Sequence, residues 1–487
     1  MIKVSGPDDL VTNLLDIVEG AEITVSEALL EQVAANRELV LAALTSAERP
    51  VYGVNTGMGK LAGVTLTPGQ QAEHQRNLLI GRAVGGAPWL SEAEVRRLLV
   101  VRLGDLLAPE AGASADLVRF LAARLNDRFT PAVPRSGFGS AGEIIPLAHA
   151  FQTFAGIGTV LENGVETPAA DALARRGVEP YQLGPKEGAT LIQGSPLAVM
   201  HASRNAETGC RLLNLQTLAA AIAVDVTGAP RDIYRLDLAG KDRKLGARLA
   251  EIHGLTAGST PRADVVQAPI SLRVGPRVIA HADRVVGELL DTVRTFRGTP
   301  TDSPAFVAGQ FVSTTGFHAV ELGLRMDAMT AALVHVGEIS VQRLHKLLDD
   351  RFSGLNPQLA VDPGPHAGLS PMHKRAVGEL HALRRLATPA TLGSIDTSAG
   401  QEDVQAFAWA AGEQLLTAME HLFVITACEL ISGSQAHYLR GLPGATGLRK
   451  HYDWLAETVP PVLVDRPLGP DITRMVAQCR ASYFDEL

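Results

Sequence analysis

Apolar positions recur at helical spacing along much of the chain, and the stretches that carry them lengthen toward its C-terminal side. Val95, Leu98, Leu99 and Leu106, with the aliphatic stem of Arg102, share one helical face. Ser91 followed by Glu94 is a capping-box pattern that places a helix start just before them. Met326, Met329, Leu333, Val336, Leu344 and Leu348 predict a longer helix with no proline inside it. Val404, Phe407, Ala411, Leu415, Met419, Leu422 and Phe423 predict another. Helices of this length gain too little from propensity alone, so their apolar faces must pack on one another as a bundle. Up to about residue 200 the chain is more often broken by Gly and Pro, which predicts shorter helices joined by loops. Phe129 to Pro146, with three prolines and three glycines, reads as loop. The expected fold is mainly α: a smaller, loop-rich N-terminal domain over 1–200 carrying active-site loops, then a long-helix central bundle with C-terminal helices over 201–487.

Composition fits that picture. Of 487 residues, 46% are apolar and only 5% aromatic, so the core is built from Ala, Leu and Val, which suits packed helices better than sheets. The 44 basic residues against 52 acidic ones are not clustered, which excludes a nucleic-acid stripe. Cys210, Cys428 and Cys479 lie far apart, without a disulfide framework or metal-ligand spacing, and no metal is expected. The first segment carries Asp8, Asp9 and Asp16 and lacks a basic start, unlike a signal peptide. No uninterrupted apolar run reaches membrane length. The expectation is a cytoplasmic enzyme acting on a small molecule, with no nucleic-acid or membrane partner.

Four separated segments carry a more specific signal. They are Tyr52-Gly53-Val54-Asn55-Thr56-Gly57-Met58-Gly59-Lys60-Leu61, then Gly139-Ser140-Ala141-Gly142-Glu143-Ile144-Ile145-Pro146-Leu147-Ala148-His149, then Gln267-Ala268-Pro269-Ile270-Ser271-Leu272-Arg273, and Gln401-Glu402-Asp403 preceded by Phe317-His318-Ala319. In this order they resemble the histidine and aromatic amino acid ammonia-lyases, over nearly the whole chain. The resemblance implies a mainly α fold and a homotetramer whose active sites draw residues from more than one subunit.

It also exposes a departure. In the family an Ala-Ser-Gly triplet cyclises: the Gly amide nitrogen attacks the carbonyl two residues back, and the Ser loses water to give an electrophilic methylidene. The aligned triplet is Ser140-Ala141-Gly142, and the methyl of Ala141 has no hydroxyl to lose. A slip to Gly139-Ser140-Ala141 puts a serine in the middle but a Cβ on the attacking residue, where the tight turn favours Gly. That register, and a laboratory change at Ala141, stay open on sequence. Further departures favour a rebuilt site: Arg82 stands for a family His, Gln193 for an Asn, Ile270 for a Tyr, and Lys374 for an apolar residue.

A site without the electrophile suits a quaternary ammonium, which has no N–H proton to divert the base and leaves as a neutral amine. Within the family this resembles the ergothionase reaction, elimination of trimethylamine from ergothioneine to give thiourocanate, with no cofactor. The resemblance then implies that Tyr52 removes the β-proton. A free phenol titrates near ~10, so positive neighbours are needed, with Arg82 and Lys60 as candidates. Arg273 matches the carboxylate fork, and Glu402 the acid that contacts imidazole in histidine-specific members. Lys374 is a candidate donor to the thione sulfur, and Phe317, with Tyr52, a candidate face for the ammonium. Asn55, Gln193 and Gln267 complete the substrate-binding set.

Bland alternatives stand beside these roles. Tyr52 could be a loop residue, Arg273 an ion-pair partner, Glu402 an acid at a helix start, Lys374 part of a solvated face and Phe317 packing. His149 and His318 read as core or contact histidines, and Ser140 has no identifiable base. Two other functions remain compatible with the sequence: a histidine deaminase using the slipped triplet, and a non-catalytic binder of an imidazole-like ligand.

Overall fold

The computed structural model describes residues 1–47 and 49–481. Helix accounts for 62% of the chain and strand for 6%, so the protein is mainly α, as the patterning predicts. The strands form three two-stranded ribbons among the described residues. The chain divides into two compact units. The first holds Met1–Ser203, Thr292–Leu324 and Ala390–Ala410; the second holds Arg204–Asp291, Arg325–Pro389 and Ala411–Leu487. The single division expected at residue 200 does not describe this. The long helices Pro196–Thr227, Ile270–Arg297, Val320–Leu348 and Ala408–Arg440 each begin in one unit and end in the other, so neither unit is continuous in sequence.

In the first unit the helices Pro68–Ile80, Glu92–Leu107, Ala115–Asn126, Ile144–Gln152 and Glu187–Ile192 surround a core that includes Leu98, Leu99, Leu117, Leu121, Leu147, Phe151 and Leu191. The predicted capping box is formed: Ser91 N–H donates to Glu94 Oε2 at 2.9 Å, and Glu94 N–H donates to Ser91 Oγ at 3.4 Å. The segment read as loop from Phe129 to Pro146 ends earlier, because a helix starts at Ile144. Pro146 sits in its first turn, where a missing N–H costs nothing.

In the second unit, Arg343 and Glu429 are both 1% exposed and pair through Arg343 Nε at 2.6 Å. Gln216 accepts from Arg343 at 2.8 Å and donates to Thr426 at 2.7 Å, so the ion pair's surroundings are satisfied. The predicted helix around Met326 to Leu348 spans Val320–Leu348. The other long helix starts at Ala408, later than expected: Val404 and Phe407 precede it, and Phe407 has a positive φ of 44°, which no right-handed helix accepts. The spans 187–227, which holds the helices Glu187–Ile192 and Pro196–Thr227, and Ala408–Arg440 are long and apolar enough to cross a membrane by composition alone. Their most apolar windows are 83% and 72% buried within the protein, as core helices are.

Candidate active site

Tyr52 sits at the start of a turn that is largely held by its own hydrogen bonds. Val51 N–H donates to Asn55 Oδ1 at 2.6 Å, Gly53 N–H to Thr56 Oγ1 at 3.3 Å, and Asn55 N–H to Val51 O at 3.2 Å. Gly53 takes φ +69°, where a Cβ would also lie 2.9 Å from Met58 Cγ, so only glycine fits. The turn folds the chain back so that Gly59 N–H donates to Tyr52 Oη at 2.8 Å. Asn55 is therefore part of the turn's frame, with its oxygen already engaged.

Arg82 follows the helix Pro68–Ile80 and approaches the same phenol. Burial pulls its guanidinium below the usual range, and the charges on Tyr52 and Glu402 act in the opposite sense. One neighbourhood thus contains the phenol, the cation and the carboxylate. Lys60, the other candidate neighbour, is exposed. His74 joins this group unforeseen by the sequence reading. Burial and then the Arg82 charge hold its imidazole below the usual value, and Nε2 is enclosed without a hydrogen-bond partner.

Glu402 is not at a helix start, so the dipole explanation fails. It closes a small turn in which Thr397 N–H donates to Glu402 O at 2.8 Å. Ser398 and Ala399 within that turn take φ of 52° and 53°, a conformation costing about 1–2 kcal/mol for each such residue. The carboxylate has two partners: Ser398 Oγ donates to Oε1 at 2.9 Å, and Ala141 N–H donates to Oε2 at 2.9 Å. Glu402 therefore grips the middle residue of the triplet.

Ser140 Oγ donates to Gly142 O at 2.6 Å, bridging the two ends of the triplet. Phe317 covers it: a Cβ built on Gly142 would lie 3.7 Å from the Phe317 ring, and Phe317 O accepts from Ser195 Oγ at 2.7 Å. The next residue, Glu143, is 6% exposed and accepts the Leu197 and Ala198 N–H groups at 2.7 Å each. Burial pushes its carboxyl up to about 8, against those two donors and the charge of Arg102. Arg102 in turn donates to the carbonyls of Thr190 and Gln193. Gln193 is buried, and the adjacent Gly194 carbonyl accepts from Glu143 N–H at 3.4 Å.

These observations test whether the family's cyclised electrophile fits. The middle side chain, Ala141, is a methyl 9% exposed, with nothing to eliminate. In the slipped register the attacking nitrogen is that of Ala141, and its N–H is already bonded to Glu402. The residues present do not fit the group.

Tyr52, Asn55, Arg82, the triplet, Gln193, Phe317 and Glu402 all lie in the first unit. Gln267, Arg273 and Lys374 belong to the second. Gln267 and Lys374 are exposed, Lys374 on the helix Ser370–Arg385. Arg273 lies in the first turn of Ile270–Arg297, and its Nε is enclosed without a hydrogen-bond partner. Among the described residues it forms no ion pair, contrary to the bland reading. Three other residues that shape the site, Gln75, Glu143 and Ser398, were missed. Glu143 directly follows the triplet and could have been found as a carboxylate at a loop-to-helix junction; Gln75 and Ser398 carry no such signal.

The chain matches the aromatic amino acid lyase profile over residues 10–457. It is 31% identical to a histidine ammonia-lyase of Deinococcus radiodurans over 474 residues, covering 94% of this chain and 89% of that one. Its fold is similar to tyrosine aminomutase from Streptomyces globisporus, with TM-score 0.90, 23% identity, and 98% and 95% of the two chains covered. It is similarly close to ergothionase, an ergothioneine-degrading enzyme of Treponema denticola, with TM-score 0.89, 21% identity, and 98% and 97% coverage. With the family profile spanning nearly all of its length, this chain belongs to the aromatic amino acid lyase family.

Proposed function

We propose that the protein is a carbon–nitrogen lyase that eliminates trimethylamine from ergothioneine, giving thiourocanate, without an electrophilic cofactor. The observation that carries this reading is the Ala141 methyl at the centre of the triplet, with no hydroxyl to eliminate, on a residue whose amide is held by Glu402. A chain lacking the electrophile needs a leaving group that departs unaided, and a quaternary ammonium does so as a neutral amine.

Tyr52, as the phenolate, takes the β-proton on Oη and becomes the phenol, the C–H electrons form the Cα–Cβ double bond, and the C–N pair leaves with trimethylamine. The Gly59 N–H and the Arg82 charge both face that oxygen and interact more strongly with its anionic form, the form that acts as the base. Phe317, lying on the triplet, supplies an aromatic face for the ammonium, worth up to about 2 kcal/mol when desolvated. Arg273, with an unsatisfied Nε, is assigned to the substrate carboxylate. Lys374 is assigned to the thione sulfur, with Gln267 and Gln193 beside the substrate. Glu402, in this reading, faces the ring while holding the loop. The residues of the second unit take part in a homotetramer whose sites draw on more than one subunit.

The test is incubation with ergothioneine: trimethylamine is released and a conjugated chromophore appears. Histidine turnover without ergothioneine turnover overturns the reading. The relatives named histidine ammonia-lyase support a second reading, deamination through the slipped triplet. Intact-mass measurement separates the two, because cyclisation removes water from the polypeptide.

A further inference from the structure

We infer that Gln75 is a positioning residue for Tyr52, tying the tyrosine's turn to the helical framework through its side-chain amide. The inference rests on the reading of Tyr52 as the base, and its test includes a measurement that does not depend on the substrate.

Gln75 lies in the helix Pro68–Ile80 and is 1% exposed. A glutamine amide presents a donor and an acceptor at fixed separation, and both are used here. Nε2 donates to Gly53 O at 3.0 Å, and Oε1 accepts Ala189 N–H at 3.0 Å. Gly53 O is the carbonyl of the residue directly after Tyr52. Ala189 is the third residue of the helix Glu187–Ile192, so its N–H is one of the donors a helix start leaves without an internal partner. One buried side chain therefore satisfies an orphan carbonyl of the turn and an orphan amide of the helix leading to Gln193.

The framework side of this link is rigid. A Cβ on Gly188 would lie 2.0 Å from the Gln75 carbonyl oxygen, so the backbones of the two helices are in direct contact and their register is fixed. The turn's hydrogen bonds among residues 51–56 set its shape without fixing its place. Gln75 supplies the place. The Gly59 N–H that meets Tyr52 Oη follows from the same turn, so a shift of Gly53 moves the phenol relative to its donor. A displacement of about 1 Å in a catalytic group can cost about 100-fold in rate.

Two variants test this. Gln75→Met keeps the volume and removes both hydrogen bonds. It is expected to lower kcat roughly 100-fold, leave KM unchanged, and accelerate amide exchange in the segment 53–59 at least about tenfold, the effect of losing one neutral hydrogen bond of ~1.4 kcal/mol. Gln75→Glu accepts from Ala189 at any pH but donates to Gly53 O only when protonated. Its kcat relative to wild type therefore recovers as pH is lowered, with melting behaviour followed in parallel. Ergothioneine and histidine are assayed side by side on wild type first. If neither is turned over, the proposed reaction fails, and the exchange measurement still decides the role of Gln75. Wild-type exchange over 53–59 in Gln75→Met overturns the inference, as does a kcat within about twofold of wild type. If the Met variant does not fold, a pH-independent kcat ratio for Gln75→Glu overturns it instead.

Discussion

Replacing Glu402 separates two things a carboxylate in this position can do: hold the triplet loop or hold the substrate. Glu402 accepts from Ala141 N–H and Ser398 Oγ, each at 2.9 Å. A hydrogen bond to a charged acceptor contributes about 2 kcal/mol net and a neutral one about 1 kcal/mol. Glu402→Gln keeps both contacts, because its carbonyl accepts from Ala141 while its amide donates to Ser398, whose hydroxyl reverses its role. It therefore loses about 1 kcal/mol at Ala141, about a fivefold rise in loop opening. Glu402→Ala loses the full bond, about 2 kcal/mol or roughly 30-fold. It also releases the turn in which Ser398 and Ala399 sit at positive φ.

The assay is hydrogen exchange of the segment containing Ala141, resolved by fragment mass spectrometry, with trimethylamine release measured on the same preparations. The expected order is wild type slowest, then Gln, then Ala, with turnover falling by at least the same factors. The segment 397–402 should loosen in the Ala variant alone. Wild-type exchange at Ala141 in Glu402→Ala refutes the argument that the carboxylate holds the loop. Turnover lost equally in both variants, with exchange unchanged, assigns Glu402 to the substrate instead.

Other expectations follow from the same geometry. Tyr52→Phe removes the base and is expected to lower kcat by roughly 10²–10⁴-fold, while ergothioneine binding measured by calorimetry stays close to wild type; full activity excludes Tyr52 as the base. Lys374→Met removes a charged donor and is expected to raise KM for ergothioneine roughly tenfold or more, whereas a merely solvated lysine leaves KM unchanged. Glu94 is buried, which raises its pKa, but the Arg135 and Ser91 hydrogen bonds outweigh this and bring it from 4.5 to about 2. A depressed carboxyl stabilises the fold above its unfolded pKa, so this contribution of about 3 kcal/mol is complete above pH ~4.5 and disappears as pH falls toward ~2. The denaturation midpoints of wild type and Glu94→Gln should converge over that window, and a constant gap refutes the assignment.

The helical character of the chain was legible because burial on one face leaves a spacing that sequence retains. The capping box at Ser91 and Glu94 and the run from Met326 to Leu348 are local patterns, and both formed. The start of the last long helix was misplaced because Val404 and Phe407 keep the helical spacing while the backbone at Phe407 turns to positive φ. Periodicity reports where apolar residues fall, and an apolar loop residue at the right spacing, such as the half-exposed Val404, is indistinguishable from a helical one. The division into units was illegible for a related reason: helices that run from one unit into the other leave no linker in the sequence.

The site shows the same limit in chemical terms. Tyr52, Arg82 and Glu402 were singled out on sequence because their segments resemble the family's. What Glu402 grips could not be named, since its partner is a backbone amide 261 positions away that every non-proline residue supplies. Gln75 stands in a polar run, Gln70 to Asn77, that reads as a solvated helix face, yet it is buried against two backbone groups. Main-chain partners leave no trace in composition. The loss of a serine hydroxyl is visible in one letter; what replaces it is written in contacts to the main chain. On the proposed reading, a family member without the covalent ring must hold the same loop by other means. The Ala141 to Glu402 bond, the Ser140 bridge to Gly142 and the Glu143 contacts to Leu197 and Ala198 are such means. Restoring a serine at 141 while leaving them in place is therefore not expected to restore the ring.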